Sequence, residues 1–254
     1  MKFCVLIPTY NNDATLCNVI NQILSLSLPI IVVNDGSTDD TLSRISTFVN
    51  NNEIHLVSYP KNRGKGHALC RGFKCAQHLG YQYAITLDAD GQHLPKDIPT
   101  LMQALPNQPN MSNRHGAMIV GCRDLYADGM PRKNTFANRF SNFWFTIQTG
   151  RILSDTQSGF RIYDLNHLPS LLLITHRYES ELELLVFSAW RGVQLVPVPV
   201  NVYYPPAEER VSHFRPGIDF FRISVLNTIL CFLSVCYGYP RMGLRWLINK
   251  TSTL

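Results

Sequence analysis

Tyr83-Ala84-Ile85-Thr86-Leu87-Asp88-Ala89-Asp90-Gly91-Gln92 is a short apolar run that stops on two carboxylates one residue apart. An apolar run of this length bounded by turn residues reads as a buried strand, so the two acids stand at its carboxyl end. In an open α/β sheet that edge is where ligands bind. Side chains at i and i+2 project to the same side as long as the backbone stays extended. Two carboxylates so placed repel one another unless a cation lies between them, and their hard oxygens select Mg2+ or Mn2+. An ion held by few protein groups keeps coordination positions for phosphate oxygens. A solvated strand-end turn would show the same triplet, so the rest of the chain has to decide.

On both sides of this stretch, strand-like and helix-like segments alternate. Apolar runs at 3–7, 30–33, 54–57 and 117–121 read as further buried strands, and 14–26, 38–49, 66–79 and 96–105 as helices. Such alternation predicts a mostly parallel sheet wrapped by helices. Three strands end in polar or glycine-bearing turns: Pro8-Thr9-Tyr10-Asn11-Asn12, Asn34-Asp35-Gly36-Ser37 and Asp88-Ala89-Asp90-Gly91. In one parallel sheet these turns share an edge. After Gly121 the pattern loosens into an aromatic helix over 136–149, Ser158-Gly159-Phe160-Arg161-Ile162-Tyr163, a helix over 178–191, and two short strands around 193–197 and 200–204. A polar loop at 205–216 precedes the apolar segment 218–239. The expected organisation is one domain over 1–216 with a C-terminal appendage over 217–254.

Composition narrows the function. The 254 residues are 45% hydrophobic and 16% charged, with a net charge of +5 and no long Lys/Arg block. Scattered basic loops suit anionic small molecules or an acidic membrane surface and argue against nucleic acid as a partner. The seven cysteines show no CxxC pair and lie mostly in apolar segments, so they read as reduced residues of a cytosolic protein. The N-terminal apolar run is too short for a signal peptide and reads as the first strand. No Gly-x-Ser-x-Gly elbow or Gly-x-Gly-x-x-Gly fingerprint occurs, which argues against a serine hydrolase and a dehydrogenase.

Other residues carry two readings each. Asp35 either caps the following helix or accepts a hydrogen bond from a base N–H. Lys61-Asn62-Arg63-Gly64-Lys65-Gly66 is either a solvated basic loop or a turn whose helix N-terminus and Lys65 meet an anion. Asp155 and the helix start Glu179-Ser180-Glu181-Leu182-Glu183 supply carboxylates from the second half, one of which could serve as a general base facing an acceptor. The alternative for the glutamates is a helix N-terminus favoured by the dipole. The stripe Phe136, Phe140, Phe143, Trp144, Ile147 reads as core or as a membrane-facing flank.

Together, Ile7-Pro8-Thr9-Tyr10-Asn11, Val33-Asn34-Asp35-Gly36-Ser37-Thr38-Asp39, Asn62-Arg63-Gly64-Lys65-Gly66, Leu87-Asp88-Ala89-Asp90-Gly91-Gln92-His93, Gly121-Cys122-Arg123 and Ser158-Gly159-Phe160-Arg161 resemble a family 2 glycosyltransferase of the GT-A fold. The branch they resemble most is that of the dolichyl-phosphate mannosyltransferase-like enzymes. The resemblance implies a UDP- or GDP-sugar donor, a Mg2+ or Mn2+ cofactor, and inversion at the anomeric carbon by one in-line displacement. It implies that Pro8, Tyr10, Asn12 and Asp35 hold the nucleoside. Asp88, Asp90 and Gln92 would hold the metal, with Ala89 between them beside the donor and Asp90 counted with the catalytic groups. Arg123, Arg210 and His213 would meet phosphates, and Asp155 or Glu181 would face the acceptor. Two departures stand out: Asn12 occupies a position often held by Glu, and Ser212 is followed by His213 in place of Lys or Arg. The second keeps a hydroxyl acceptor open beside a polyprenyl phosphate. The rivals are a nucleotidyltransferase, which would carry a Gly-rich loop near the N-terminus, and a nucleotide-binding module without catalysis.

Residues 223–240 carry no charge, and Arg241-Met242-Gly243-Leu244-Arg245-Trp246-Leu247-Ile248-Asn249-Lys250 follows. The uncharged stretch is at the lower limit for a spanning helix. A polar stripe of Ser224, Asn227, Thr228 and Ser234 favours lying in a membrane interface, and the basic end suits anionic headgroups. The expected location is cytoplasmic, peripheral on the inner face of the cell membrane. A helix packed on the domain is the alternative.

Overall fold

The structure is a computed structural model that describes residues 1–49, 54–106, 115–125, 132–169, 175–204 and 216–251. Seven strands, β1 (Phe3–Thr9), β2 (Ile30–Asp35), β3 (Ile54–Tyr59), β4 (Tyr83–Thr86), β5 (Ala117–Arg123), β6 (Arg161–Asp164) and β7 (Gln194–Val200), form one sheet in the order β3-β2-β1-β4-β6-β5-β7. The β1–β2, β1–β4, β2–β3 and β5–β7 pairs are parallel, and β6 runs antiparallel between β4 and β5. The expected mostly parallel sheet flanked by helices is therefore observed.

Each central strand is buried on both faces, as its continuous run of branched residues requires. Alternate side chains enter two cores. Leu6, Ile31 and Val33 pack with Phe73 of α3 (Lys65–His78) and with Trp190 of α6 (Glu179–Arg191). Val5, Ile7 and Val32 pack on the other side with Ile20 of α1 (Leu16–Leu24) and Ile98 of α4 (Ile98–Gln103). In α1 the buried residues are Leu16, Val19, Ile20 and Ile23, the spacing of a single helical stripe. The helices expected over 38–49 and 96–105 are shorter than read: α2 is Thr41–Ser46, and a 3-10 turn, Pro95–Asp97, precedes α4.

The two short strands expected near 193–197 and 200–204 are one strand, β7. Pro197 and Pro199 suggest a break, but β7 is an edge strand, where a missing N–H is tolerated. Beyond it, only an isolated bridge joins Val202 to His93.

α5 (Arg132–Thr149) and the C-terminal helix lie beside α6. The latter runs as α7 (Pro216–Leu233), a π turn (Ser234–Gly238) and α8 (Tyr239–Thr251). Its sidedness is inverted relative to a helix on a soluble surface. Asp219, Asn227 and Ser234 are buried together with Leu226 and Leu230, whereas Phe221 (68%), Phe232 (68%) and Val235 (69%) are exposed. Gln148 of α5 donates to Asn227 Oδ1 at 3.0 Å, and Trp190 Nε1 donates to the Gln148 carbonyl at 2.8 Å. Arg245 donates to the Trp190 carbonyl near the end of α6 at 2.8 Å, so it caps a helix instead of standing free for headgroups. Exposed Phe136, Phe143 and Ile147 of α5 add to the apolar surface.

Candidate active site

β1, β2, β4 and β5 deliver their carboxyl ends to one edge, and the antiparallel β6 begins there. The Ser158-Gly159-Phe160 segment thereby reaches the same edge as Asp88 and Asp90. Thr86 Oγ1 donates to the Gly159 carbonyl at 2.7 Å and ties the two segments together. Asp90 Oδ1 accepts from the Gln92 amide at 3.0 Å, and Thr15 of the α1 entry donates to the Ala89 carbonyl at 2.6 Å. Burial first, and then the charge of Asp88, push the Asp90 carboxyl up to about 6. Burial alone would also raise Asp88, but the Lys65 ammonium outweighs it and holds that carboxyl below its ordinary value. His93, buried close by, is pushed down to about 4, chiefly by burial.

Lys65 is used differently from the expectation. Its ammonium lies 2.6 Å from Asp88 Oδ1 and 2.9 Å from Glu181 Oε2, with little exposure. Burial opposes its charge, but Asp88 and then Glu181 overcome this and hold it above its usual value. The N-terminus of α3 does not face an open anion site either: His67 N donates to the His176 carbonyl at 3.2 Å. Gly64, at φ 98°, has that carbonyl where a Cβ would be. The covering segment 176–180 arrives from far along the chain, which local reading could not foresee.

Asp155 does not face an acceptor. It is fully buried, and its carboxylate accepts from Arg123 Nε at 2.6 Å, Arg123 Nη2 at 3.0 Å and Asn138 Nδ2 at 2.6 Å. The Arg123, Gln157 and Ser158 amides also point at it, at 3.2, 3.1 and 3.1 Å. A carboxylate so saturated has no lone pair to spare for a substrate proton. Burial would raise it, yet Arg123 holds it below the usual carboxylate range. Asp155 thus anchors Arg123 at the end of β5, on the same sheet edge as Asp88 and Asp90.

The three α6 glutamates are not solvated dipole partners. Glu179 pairs with Arg222 of α7 at 3.0 Å, Glu181 with Lys65, and Glu183 accepts from Thr175 Oγ1 at 2.6 Å. All three are buried. Arg161 is likewise internal: its guanidinium donates to the carbonyls of Ser158, Thr156 and Glu181.

Asp35 does not cap α2. Its Oδ1 accepts from Arg63 N and its Oδ2 from Gly64 N, both at 2.8 Å, so it fastens the basic turn to the end of β2. Pro8 is buried and Tyr10 partly so. Asn12 Nδ2 donates to the Tyr10 carbonyl at 3.0 Å and to Thr9 Oγ1 at 3.3 Å, and Asn11, at φ 52°, accepts from Thr38 N at 2.8 Å. Gln92 follows Asp90 on the edge, its carbonyl accepting from Tyr203 N at 2.9 Å. Arg210 and His213 lie outside the described residues. Sequence alone does not single out Gly159 or Asn138: Gly159 lies inside the Ser158-Gly159-Phe160-Arg161 motif, but its importance depends on what packs against it, and nothing local marks Asn138.

No group of three His, Cys, Asp or Glu among the described residues could hold a metal alone. The edge offers two carboxylates, and burial first and the Asp88 charge second push the Asp90 carboxyl towards protonation. That donor set fits a hard divalent cation completed by substrate phosphates and water, as Mg2+ sites commonly are.

Comparison with known proteins follows the same lines. A relative from Methanococcus voltae, named UDP-N-acetylglucosamine--dolichyl-phosphate N-acetylglucosaminyltransferase, is 29% identical over 79% of this chain and 85% of its own. An undecaprenyl-phosphate mannosyltransferase from Micrococcus luteus is 24% identical over 79% of this chain and 83% of its own. Glucosyl-3-phosphoglycerate synthase from Mycobacterium tuberculosis, solved with Mn2+, UDP and phosphoglyceric acid, has a similar fold. Its TM-score is 0.65 at 21% identity, over 93% of this chain and 78% of that one. Residues 4–161, more than half of the chain and the part that builds both sides of the acidic edge, match the model of Glycosyl transferase family 2. The chain belongs to that family and is a glycosyltransferase of the GT-A fold.

Proposed function

We propose that this enzyme transfers a sugar from a UDP- or GDP-sugar to a polyprenyl phosphate at a membrane surface. The observation that carries the lipid acceptor is the C-terminal helix. Within its 217–248 stretch an 18-residue run has a mean hydropathy of 1.7, and only 22% of that run is buried. Asp219, Asn227 and Ser234 turn inward with Leu226 and Leu230, whereas Phe221, Val225, Phe232 and Val235 face outward. The start of α7 meets the start of α6 near the acidic edge: Arg222 pairs with Glu179, two residues before Glu181, which holds Lys65. A helix that packs Asn227 and Ser234 against the protein body and leaves one long side apolar suits lying in the interface, peripheral to the cytoplasmic face, better than crossing the bilayer. The relatives' names, with dolichyl and undecaprenyl phosphates as acceptors, agree with this reading.

Asp88 and Asp90, with Gln92, would hold Mg2+ or Mn2+, which when bound supplies positive charge against the departing diphosphate. Asp35, Pro8, Tyr10 and Asn12 line the nucleoside side. Arg123, rigidly held by Asp155, presents its guanidinium towards phosphate oxygens. The acceptor phosphate oxygen attacks the anomeric carbon as the bond to the nucleotide diphosphate breaks, with inversion. A phosphate nucleophile is already ionised and needs no general base, which agrees with a saturated Asp155 and a Glu181 engaged by Lys65. Arg210 and His213 are the proposed phosphate contacts from the 205–215 segment.

The test is transfer from radiolabelled UDP- and GDP-sugars to undecaprenyl phosphate in anionic vesicles. A lipid-linked sugar released by mild acid is expected. Transfer only to a neutral glycolipid hydroxyl would overturn the phosphate acceptor.

A further inference from the structure

Residues 54–87 contain no Asp or Glu but five cations, Lys61, Arg63, Lys65, Arg71 and Lys74, which equal the net charge of +5 of the whole chain. Lys65 is neutralised internally by Asp88 and Glu181. The other four are exposed, and none of them forms a salt bridge among the described residues.

Helix α3 concentrates this charge on one side. Leu69, Phe73 and Ala76 are its buried stripe. His67, Arg71, Lys74 and His78 follow one another at helical spacing along the opposite side, the last three of them exposed. Arg71 and Lys74 repel one another, and α3 contains no acid to offset them. His67 lies among these cations: burial first and the Arg63 charge second hold it below its usual value, with His176 and Arg71 acting in the same direction. A solvated surface ordinarily mixes both signs. A patch of one sign without partners of its own is a complement for an external anionic surface.

The position of the patch selects that surface. Phe73 of α3, Trp190 of α6 and Leu226 and Leu230 of α7 belong to one core, so the three helices lie on the same side of the sheet. The head of α3 is joined to the head of α7 through a few residues. His67 N donates to the His176 carbonyl at 3.2 Å, and Glu179, three residues further on, pairs with Arg222 of α7 at 3.0 Å. Beside Arg222 begins the outward apolar face with Phe221. An anionic bilayer offers hydrocarbon to that face and phosphate headgroups to the cations of α3. Resting on the membrane reading above, we propose that Lys61, Arg63, Arg71 and Lys74 form a second membrane contact, a docking surface for anionic lipid headgroups beside the C-terminal helix.

The experiment is co-sedimentation of the full chain with phosphatidylcholine vesicles and with vesicles containing phosphatidylglycerol. It is run at about 0.1 M and about 1 M salt, between which the Debye length falls from about 10 to about 3 Å. The wild type should bind both vesicles, the anionic ones at least tenfold tighter at the lower salt, and this preference should vanish at the higher. Arg71→Gln with Lys74→Gln keeps a helix-forming side chain at both exposed positions. It should leave the Kd for neutral vesicles within about twofold and weaken binding to anionic ones about tenfold or more, at roughly fivefold per cation. Arg44→Gln with Lys96→Gln removes the same charge on the other side of the sheet, where the neighbouring Ile45 and Ile98 belong to the second core, and should stay within about twofold on both vesicles. An α3 variant that binds anionic vesicles like the wild type, or a control pair that loses as much, overturns the docking surface while leaving the membrane reading intact. So does a wild type indifferent to lipid charge and salt, a result that needs no variant to fold. Failure of the wild type to bind either vesicle overturns both.

Discussion

Replacing Asp90 by Asn should stabilise the metal-free protein at neutral pH and abolish its response to metal. The side chain keeps its shape, and its Oδ1 still accepts the Gln92 amide. What disappears is a half-buried charge beside Asp88. That environment pushes the Asp90 carboxyl from 3.8 to about 6, by burial first and the Asp88 charge second. The sign follows from linkage. An acid whose folded pKa is raised binds its proton more tightly in the native state, so native stability from this group falls as pH rises from about 4 to about 6. Asn imitates the protonated form, so the variant's advantage is full above pH 6 and absent below pH 4. Roughly two units correspond to about 3 kcal/mol at most. Asp90 keeps some solvent access, which screens the repulsion, so about 1–2 kcal/mol is expected. The assay is denaturant unfolding in EDTA from pH 4 to 8, comparing the two proteins at each pH so that other titrating groups cancel. In a second arm, Mn2+ at a hundred times its Kd should stabilise the wild type by about 2.7 kcal/mol and the variant not at all. A stability gap that does not change with pH, or a variant less stable throughout, would refute the reasoning.

Lys65→Met leaves the buried Glu181 and the partly exposed Asp88 without their shared cation, and urea unfolding should show a loss of about 3 kcal/mol; a change under 1 kcal/mol would mean the ion pairs are solvated. Asp155→Ala removes the acceptor of six N–H donors, so it should lower stability by more than 3 kcal/mol and release Arg123. A variant of native stability with only a slowed rate would restore Asp155 as a base. Asp35→Ala should cost about 2–4 kcal/mol through the Arg63 and Gly64 amides and weaken UDP or GDP binding about ten- to a hundredfold; calorimetry showing unchanged affinity would reduce Asp35 to a loop tie. Phe221→Asp with Phe232→Asp places charge on the outward face without touching the core, and should prevent co-flotation with anionic vesicles at unchanged melting temperature. Deleting everything after Arg222 is no substitute, because Leu226 and Leu230 belong to the core.

The strands and most helices were legible because their signal is local: apolar runs and periodicity state which face is buried wherever that face goes. The carboxylate pair at the end of β4 and the polar ends of β1 and β2 were legible for the same reason, since a parallel sheet must bring those ends to one edge. Proximity across the chain was not. Arg123 and Asp155 stand 32 residues apart and were read as a phosphate contact and a base, although their pairing makes one the anchor of the other. Lys65 was read as facing an anion, yet the segment from His176 to Glu181 covers its helix and claims its ammonium. Composition marked the C-terminal segment as apolar with a polar stripe. Only tertiary packing showed that Asn227 and Ser234 of that stripe are buried, Asn227 against Gln148, while Thr228 and the aromatic Phe221 and Phe232 face outward. Sequence by itself determined which residues must leave water and where the acids must emerge. The partners of each charge were decided by the tertiary structure, because an ion pair or a buried amide depends on distance in space, which residue order alone does not encode.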